Sequence, residues 1–288
     1  MLRTGAILTG LLLLLLAVGC GDKETVSGPE GAPYHTSLEA AVEAVGTSDK
    51  PIVIKFYTER CKWCKTLDTV TLVDSAVVEF FTDEMVLVKI DADQDSLLAD
   101  EYGVRAYPTM VMVHKDGQEI DRAVGYFEPA EFLETLRNYR LGIGTLDDLL
   151  SQVEAEPSRQ LYFDIAQKYE YRAGDEEATR WYERVVEEDA TDSLASISRI
   201  SLAHLLRRSE DWDGAMQAYA SIAEDFEGQV MAEDAEVWMC ITHRQKGDTA
   251  AAIACFEGFA EKYPESPDAE YCQGQAAKLK GEEEPSSR

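Results

Sequence analysis

Cys61 and Cys64, in the run Cys-Lys-Trp-Cys, are the residues of this chain whose type and spacing most directly suggest chemistry. They follow an apolar run, Ile52-Val53-Ile54-Lys55-Phe56-Tyr57, and precede a stretch of helical period. At such a strand-to-helix junction the first thiol falls at the helix N-terminus, where unpaired backbone N–H groups and the helix dipole favour a thiolate. The second lies one turn further on, near enough to close a disulfide. The expected chemistry is thiol–disulfide exchange, with Cys61 as the attacking thiolate and Cys64 as the resolving thiol. Arg60, Lys62 and Lys65 gather positive charge around Cys61 in an otherwise acidic region. Cations within about 4–6 Å favour the ionised form, so a Cys61 pKa below the free value of about 8.5 is expected. Trp63, between the cysteines, is expected to face a substrate or cover the site. A structural disulfide is the blander reading, but closing so short a loop adds little stability. A zinc site would need two further ligands, and His35 and His114 stand isolated with no second C-x-x-C in the chain. No metal is expected, and no cofactor beyond the Cys61–Cys64 disulfide itself.

The elements that must position this pair come from pattern and punctuation. Helix is predicted over 36–46 with Thr36 or Ser37 as N-cap, buried strand over 51–57, and mainly helix over 62–82. A second strand is predicted over 85–91 and a short helix over about 95–102. Strand 110–114 turns through Lys115-Asp116-Gly117 into strand 118–124, and helix 129–140 opens on Pro129. The order is mixed α/β. Beyond Thr145 the pattern is helical throughout, and two glycines in Leu141-Gly142-Ile143-Gly144 mark the boundary.

The second half repeats. Ala178, Ala215 and Ala252 recur every 37 residues, each followed four places later by an aromatic (Tyr182, Tyr219, Phe256) and four further by Val186, Ala223 or Ala260. A small residue lets two helices approach, and units of this kind bury their faces only against neighbours. Cys240 and Cys255 fall on opposing helices of one hairpin and Cys272 on the next. Buried, reduced, apolar cysteines are the expected state, with one bridge among them as the alternative. Trp181, Trp212 and Trp238 are expected to pack in the core rather than anchor a partner.

Several motifs of the first half then combine: Lys50-Pro51, Cys61-x-x-Cys64-Lys65, Val88-x-Ile90-Asp91, Tyr102-Gly103-Val104, Tyr107-Pro108-Thr109, Asp116-Gly117 and Gly125-Tyr126. In that order and spacing they resemble thioredoxin-like domains over about 36–140, and are especially similar to the C-terminal domain of transmembrane thiol-disulfide interchange proteins. The resemblance implies that Pro108 is cis beside the dithiol and that Tyr107, Pro108 and Thr109 contribute to substrate binding. It also implies protein thiols and disulfides as partners, and a reductase or relay rather than an oxidase. Three departures stand out. Arg60 replaces the usual Trp, Lys-Trp replaces Gly-Pro between the cysteines, and Lys55 stands where relatives keep a buried acid, with Glu59 or Asp68 as candidates to replace it. The third helical unit, through Tyr263-Pro264, resembles tetratricopeptide repeats, which implies a protein or peptide partner. A redox-inactive adaptor with the same two modules is the competing reading.

The N-terminus carries Arg3, an apolar run over about 6–18 and the sequence Leu16-Ala17-Val18-Gly19-Cys20. The run is short for a membrane span of roughly 20 residues and has the layout of a signal peptide. Its end resembles a bacterial lipoprotein signal, which implies lipidation of Cys20 and tethering to a membrane on the extracytoplasmic, envelope or periplasmic side. The expected organisation is a signal peptide at 1–19, lipidated cysteine and tether at 20–33, a thioredoxin-like domain at 34–141, helical repeats at 145–281 and a tail at 282–288. The net charge of −28 argues against nucleic acid and against electrostatic binding to anionic lipid.

Overall fold

The computed structural model describes residues 31–188 and 192–281. The signal sequence, Cys20, most of the tether and the tail at 282–288 lie outside the described residues. What is described is an α/β domain with a mixed sheet, followed by a region built of helices alone.

The sheet orders its five strands β1-β3-β2-β4-β5, with β1 at Tyr34–His35, β2 at Ile52–Tyr57, β3 at Val86–Asp91, β4 at Thr109–Val113 and β5 at Glu119–Val124. Central β2 runs parallel to β3 and antiparallel to β4, which pairs antiparallel with β5. Helices cover both faces, so β2 is apolar almost throughout. Val53 faces a cluster with Phe80, Phe81, Phe132 and Leu136. Ile52, Ile54 and Phe56 face one with Ala41, Val45, Val88 and Val111. Those layers come from α1 (Leu38–Val45), α3 (Ser75–Asp83), α4 (Ser96–Glu101) and α5 (Pro129–Arg140). Caps set their starts: Ser37 accepts from the Ala40 N–H, Asp74 from Ala76, and Pro129 occupies the first turn of α5. The stretch expected to be helical over 62–82 is α2 (Lys62–Thr66), a π-helical turn at Leu67–Thr71, and then α3. The Leu72 N–H donates five residues back to Leu67 O at 2.9 Å.

The second half is α6 (Leu146–Ala155), α7 (Arg159–Glu170), α8 (Asp175–Glu188), α9 (Ser193–Arg208), α10 (Trp212–Asp225), α11 (Val230–Lys246), α12 (Thr249–Lys262) and α13 (Ala269–Lys280). Each packs chiefly on its neighbours in sequence. Ala178, Ala215 and Ala252 are buried, as are Tyr182, Tyr219 and Phe256. The third buried position is shifted by one from the predicted register in the first two units. Val185 and Ile222 are buried while Val186 and Ala223 are half-buried; in the third unit Phe259 and Ala260 are both buried. Offsets of 0, 4 and 7 keep one helical stripe facing the core. The cysteines require a correction. Cys240 and Cys255 are joined in a disulfide between α11 and α12, and Cys272 is a buried thiol.

The halves are bonded, not merely linked. Asp121 of β5, fully buried, accepts from Lys168 Nζ (2.8 Å), an Arg172 guanidinium nitrogen (2.9 Å) and the Leu146 N–H (2.7 Å). Arg122 donates to Tyr171 O at 2.7 Å, and Arg105 pairs with Asp175 at 2.6 Å. Gly103 has φ +59°, and a Cβ there would sit 2.8 Å from Arg172 O. Glycine is therefore required twice over, by its conformation and by the close approach of the α7–α8 turn.

Candidate active site

Strand β2 ends at Tyr57, and the chain turns through residues 58–60 so that Cys61 caps α2. Its Sγ accepts the Cys64 N–H at 3.0 Å. The two residues are bridged, with Cα atoms 5.2 Å apart. Cys61 is half-buried and Cys64 buried, so the first sulfur is the one an incoming disulfide can reach.

Trp63 is 54% exposed, stacked on Tyr126 with ring centroids 5.6 Å apart. The Tyr107–Pro108 peptide is cis, and Pro108 O accepts the Gly125 N–H at 2.8 Å. That bond joins the loop before β4 to the loop after β5. Tyr107 is half-buried against the Val88 cluster. Thr109 is buried and its hydroxyl donates inward to Ala106 O at 2.8 Å. The three basic residues lie outward. Arg60, with its side chain 88% exposed, is 3.7 Å from Asp93, and Lys62 and Lys65 are exposed, with Lys62 Nζ 5.8 Å from the Trp63 ring centroid.

Beneath the dithiol lies the departure at Lys55, together with Asp68, one of the two acids that the sequence offers there. Lys55 is 0% exposed. Strand alternation directs it to the same side of the sheet as Val53, under α2. Its Nζ is 2.7 Å from Asp68 Oδ2 and donates to Cys64 O at 3.3 Å. Lys89 Nζ takes the other Asp68 oxygen at 2.6 Å and sits 4.3 Å from the Tyr34 ring centroid. Burial pulls the Lys55 pKa down to about 8, against the opposing pull of the Asp68 carboxylate. Asp68 is carried by the π-helical turn. Glu59, the other candidate acid, lies exposed in the loop before Cys61.

Residues 38–140 match the family of thioredoxin-like domains. The chain is 30% identical over 97 residues to a thioredoxin of Porphyra purpurea, across 34% of this chain and 87% of that protein. It is 30% identical over 89 residues to thioredoxin 1 of Synechococcus elongatus, across 31% of this chain and 79% of that protein. Among solved structures it is similar to the oxidised C-terminal domain of DsbD from Neisseria meningitidis, at 26% identity and a TM-score of 0.32, across 35% of this chain and 90% of that one.

Proposed function

The chain belongs to the thioredoxin-like family through residues 38–140, and from that premise we propose that it is a thiol–disulfide oxidoreductase acting on protein clients through Cys61 and Cys64. The observation that carries the reading is the asymmetry of the pair: a half-buried Cys61 capping α2, bridged to a buried Cys64. Reduced, Cys61 attacks one sulfur of a client disulfide and the other client sulfur leaves as a thiolate. Cys64 then attacks Cys61 Sγ, the bond to the client breaks, and the internal disulfide re-forms. In this reading Trp63, Tyr107 and Pro108 contact the client, and Thr109 acts from within by bonding the loop to Ala106 O. Arg60, Lys62 and Lys65 bias Cys61 toward its thiolate through the solvent-facing side.

The same reading has the protein act outside the cytoplasm, tethered through lipidated Cys20, as a reductase or relay, with the helical repeats engaging a protein partner. The Cys240–Cys255 disulfide supports an oxidising compartment. Trapping in cells tests the exchange activity. Cys64→Ser leaves Cys61 able to attack but the mixed disulfide unresolved, so discrete reducible adducts are expected in Cys64→Ser and none in Cys61→Ser. Absence of adducts from both, with the wild-type pair held in one redox state, refutes it.

A further inference from the structure

We infer that Lys55 is a positioning residue of the dithiol: its buried ammonium, held by Asp68 against the backbone of Cys64, favours the Cys64 thiolate and so speeds the release of client from Cys61. The inference rests on the proposed exchange activity.

The argument begins with cost. A buried ammonium in a strand that is otherwise apolar is expensive unless it is paired and hydrogen-bonded. Here the pairing does not neutralise the site. The groups facing the Lys55 Nζ are Asp68 from the π-helical turn, Cys64 from α2, Lys89 directly across the strand pair on β3, and the Tyr57 ring, 5.5 Å away on β2; Met110, opposite on β4, is apolar. Two lysines share one carboxylate, through its two oxygens. Next to Lys55 Nζ, two ammoniums thus meet one carboxylate, with Asp91 and Glu59 further out beside Tyr57, and Lys55 donates to the backbone carbonyl of Cys64, the buried residue whose sulfur must ionise. With the disulfide closed both sulfurs are neutral. With it open, a Cys64 thiolate is the anion that would balance the pocket.

In the mixed disulfide Cys64 is a thiol. Its proton passes to solvent, and the sulfur attacks Cys61 Sγ. A bond forms between the two protein sulfurs, the bond from Cys61 to the client sulfur breaks, and the client leaves as a thiolate that water protonates. Two electrons pass from the dithiol to the client disulfide, so no further oxidant or reductant is needed. Lys55 changes the fraction of Cys64 able to start this step and leaves the first attack by Cys61 alone. With the disulfide closed, burial holds Lys55 down to about 8, still mostly charged at neutral pH, and a thiolate on Cys64 would in turn favour the ammonium.

Two measurements on the full chain test this. In a Cys61→Ser background the Cys64 13Cβ resonance is titrated with and without Lys55→Met or Lys55→Gln. Each substitution is expected to raise the Cys64 titration by about one unit, a tenfold loss of thiolate at neutral pH. Gln keeps a hydrogen-bonding group for Asp68 and the Cys64 carbonyl, so it separates charge from hydrogen bonding and preserves the fold should Met disturb it. In the chain with both cysteines, reduced protein is mixed with 5,5′-dithiobis(2-nitrobenzoate). The first release of chromophore reports attack by Cys61 and is expected to be unchanged; the second reports Cys64 and is expected to slow about tenfold at pH 7. A Cys64 titration that Lys55→Gln leaves unmoved, in a protein that exchanges disulfides, overturns the role of Lys55 alone. A wild-type chain that exchanges with no disulfide overturns the activity it rests on.

Discussion

Asp121→Asn is expected to destabilise the protein by about 3 kcal/mol and to separate the unfolding of its two halves. The carboxylate is fully buried and takes the ammonium of Lys168, the guanidinium of Arg172 and the N–H groups of Leu146 and Arg122. Asparagine keeps the volume and removes the charge. It also turns one acceptor into a donor that faces donors on every side. Each hydrogen bond to a charged group is worth about 1.5–3 kcal/mol, and a buried donor without a partner costs about 1–3 kcal/mol. Breaking a buried ion pair outright costs about 3–5 kcal/mol. Two reserves bring the value to the lower end: Glu119 still holds Arg172 at 2.9 Å, and the Tyr139 hydroxyl still accepts from Lys168 at 3.0 Å. Urea unfolding followed by far-UV circular dichroism and by tryptophan fluorescence is the assay. Of the four tryptophans Trp63 belongs to the first half and Trp181, Trp212 and Trp238 to the second, so the two signals weight the halves differently. They are expected to coincide in the wild type and to part in Asp121→Asn. Arg105→Ala removes the more exposed pair with Asp175 and, as an interaction of the surface class, is expected to cost no more than about 1 kcal/mol. A loss below about 1 kcal/mol for Asp121→Asn, with coincident transitions, would refute the reasoning that this cluster joins the halves.

Two further outcomes follow from the helical half. His204 is held down to about 4 by burial and by the charges of Arg207 and Arg208. Its folded value lies below the unfolded one near 6.5, so the unfolded chain takes up a proton first as pH falls. Stability from this group is present above about 6.5 and lost between there and about 4, by up to about 3 kcal/mol. His204→Gln is expected to flatten that part of the profile in denaturation measured at pH 7 and 4.5. Cys255→Ser opens the disulfide that spans 15 residues between α11 and α12, and loop-closure entropy sets the expected loss at roughly 3 kcal/mol, read from the urea midpoint under non-reducing conditions.

Most of the α/β domain was legible because its signals are local. Pro129, the Asp116-Gly117 turn and the caps act within a few residues of themselves, and helix 129–140 was found with its observed ends. Strand β1 was missed: Tyr34–His35 is two residues long and exists through its pairing with Leu87 and Val88, which leaves no periodicity to read. The dithiol itself was legible from spacing. The charge pocket under it was legible in part: Lys55 and Asp68 stand out as a departure and its candidate replacement, but their direct pairing, and the second lysine, Lys89, depend on strand parity and a π-helical turn that no residue pattern announces. The Cys240–Cys255 bridge was one of two states that placement on facing helices allowed. The repeat register slipped by one because alanine and valine at offset 8 are apolar too, and only packing distinguishes the stripe at 0, 4 and 7.

Asp121, which no sequence motif singles out, bears on why the two halves share a chain. In sequence it is a polar residue on a hairpin strand, the sort that faces water. Strand β5 is the sheet edge, and an open edge offers unpaired backbone groups to any other strand. The α7–α8 turn lies against this side of the domain: Arg122 reaches Tyr171 O, Lys168 and Arg172 reach Asp121, and Gly103 admits Arg172 O. Detaching the second half would take Lys168, Arg172 and the Leu146 N–H from buried Asp121 and Tyr171 O from Arg122, which would keep its pair with Glu119. The helical half thus stabilises the α/β domain whether or not it holds a partner. Because Arg105, bonded to Asp175, lies two residues before Tyr107, the same junction ties α8 to the loop that carries the cis Tyr107–Pro108 peptide. On the proposed role of Tyr107 and Pro108 in client contact, a substitution that loosens the junction is expected to alter client exchange as well as stability.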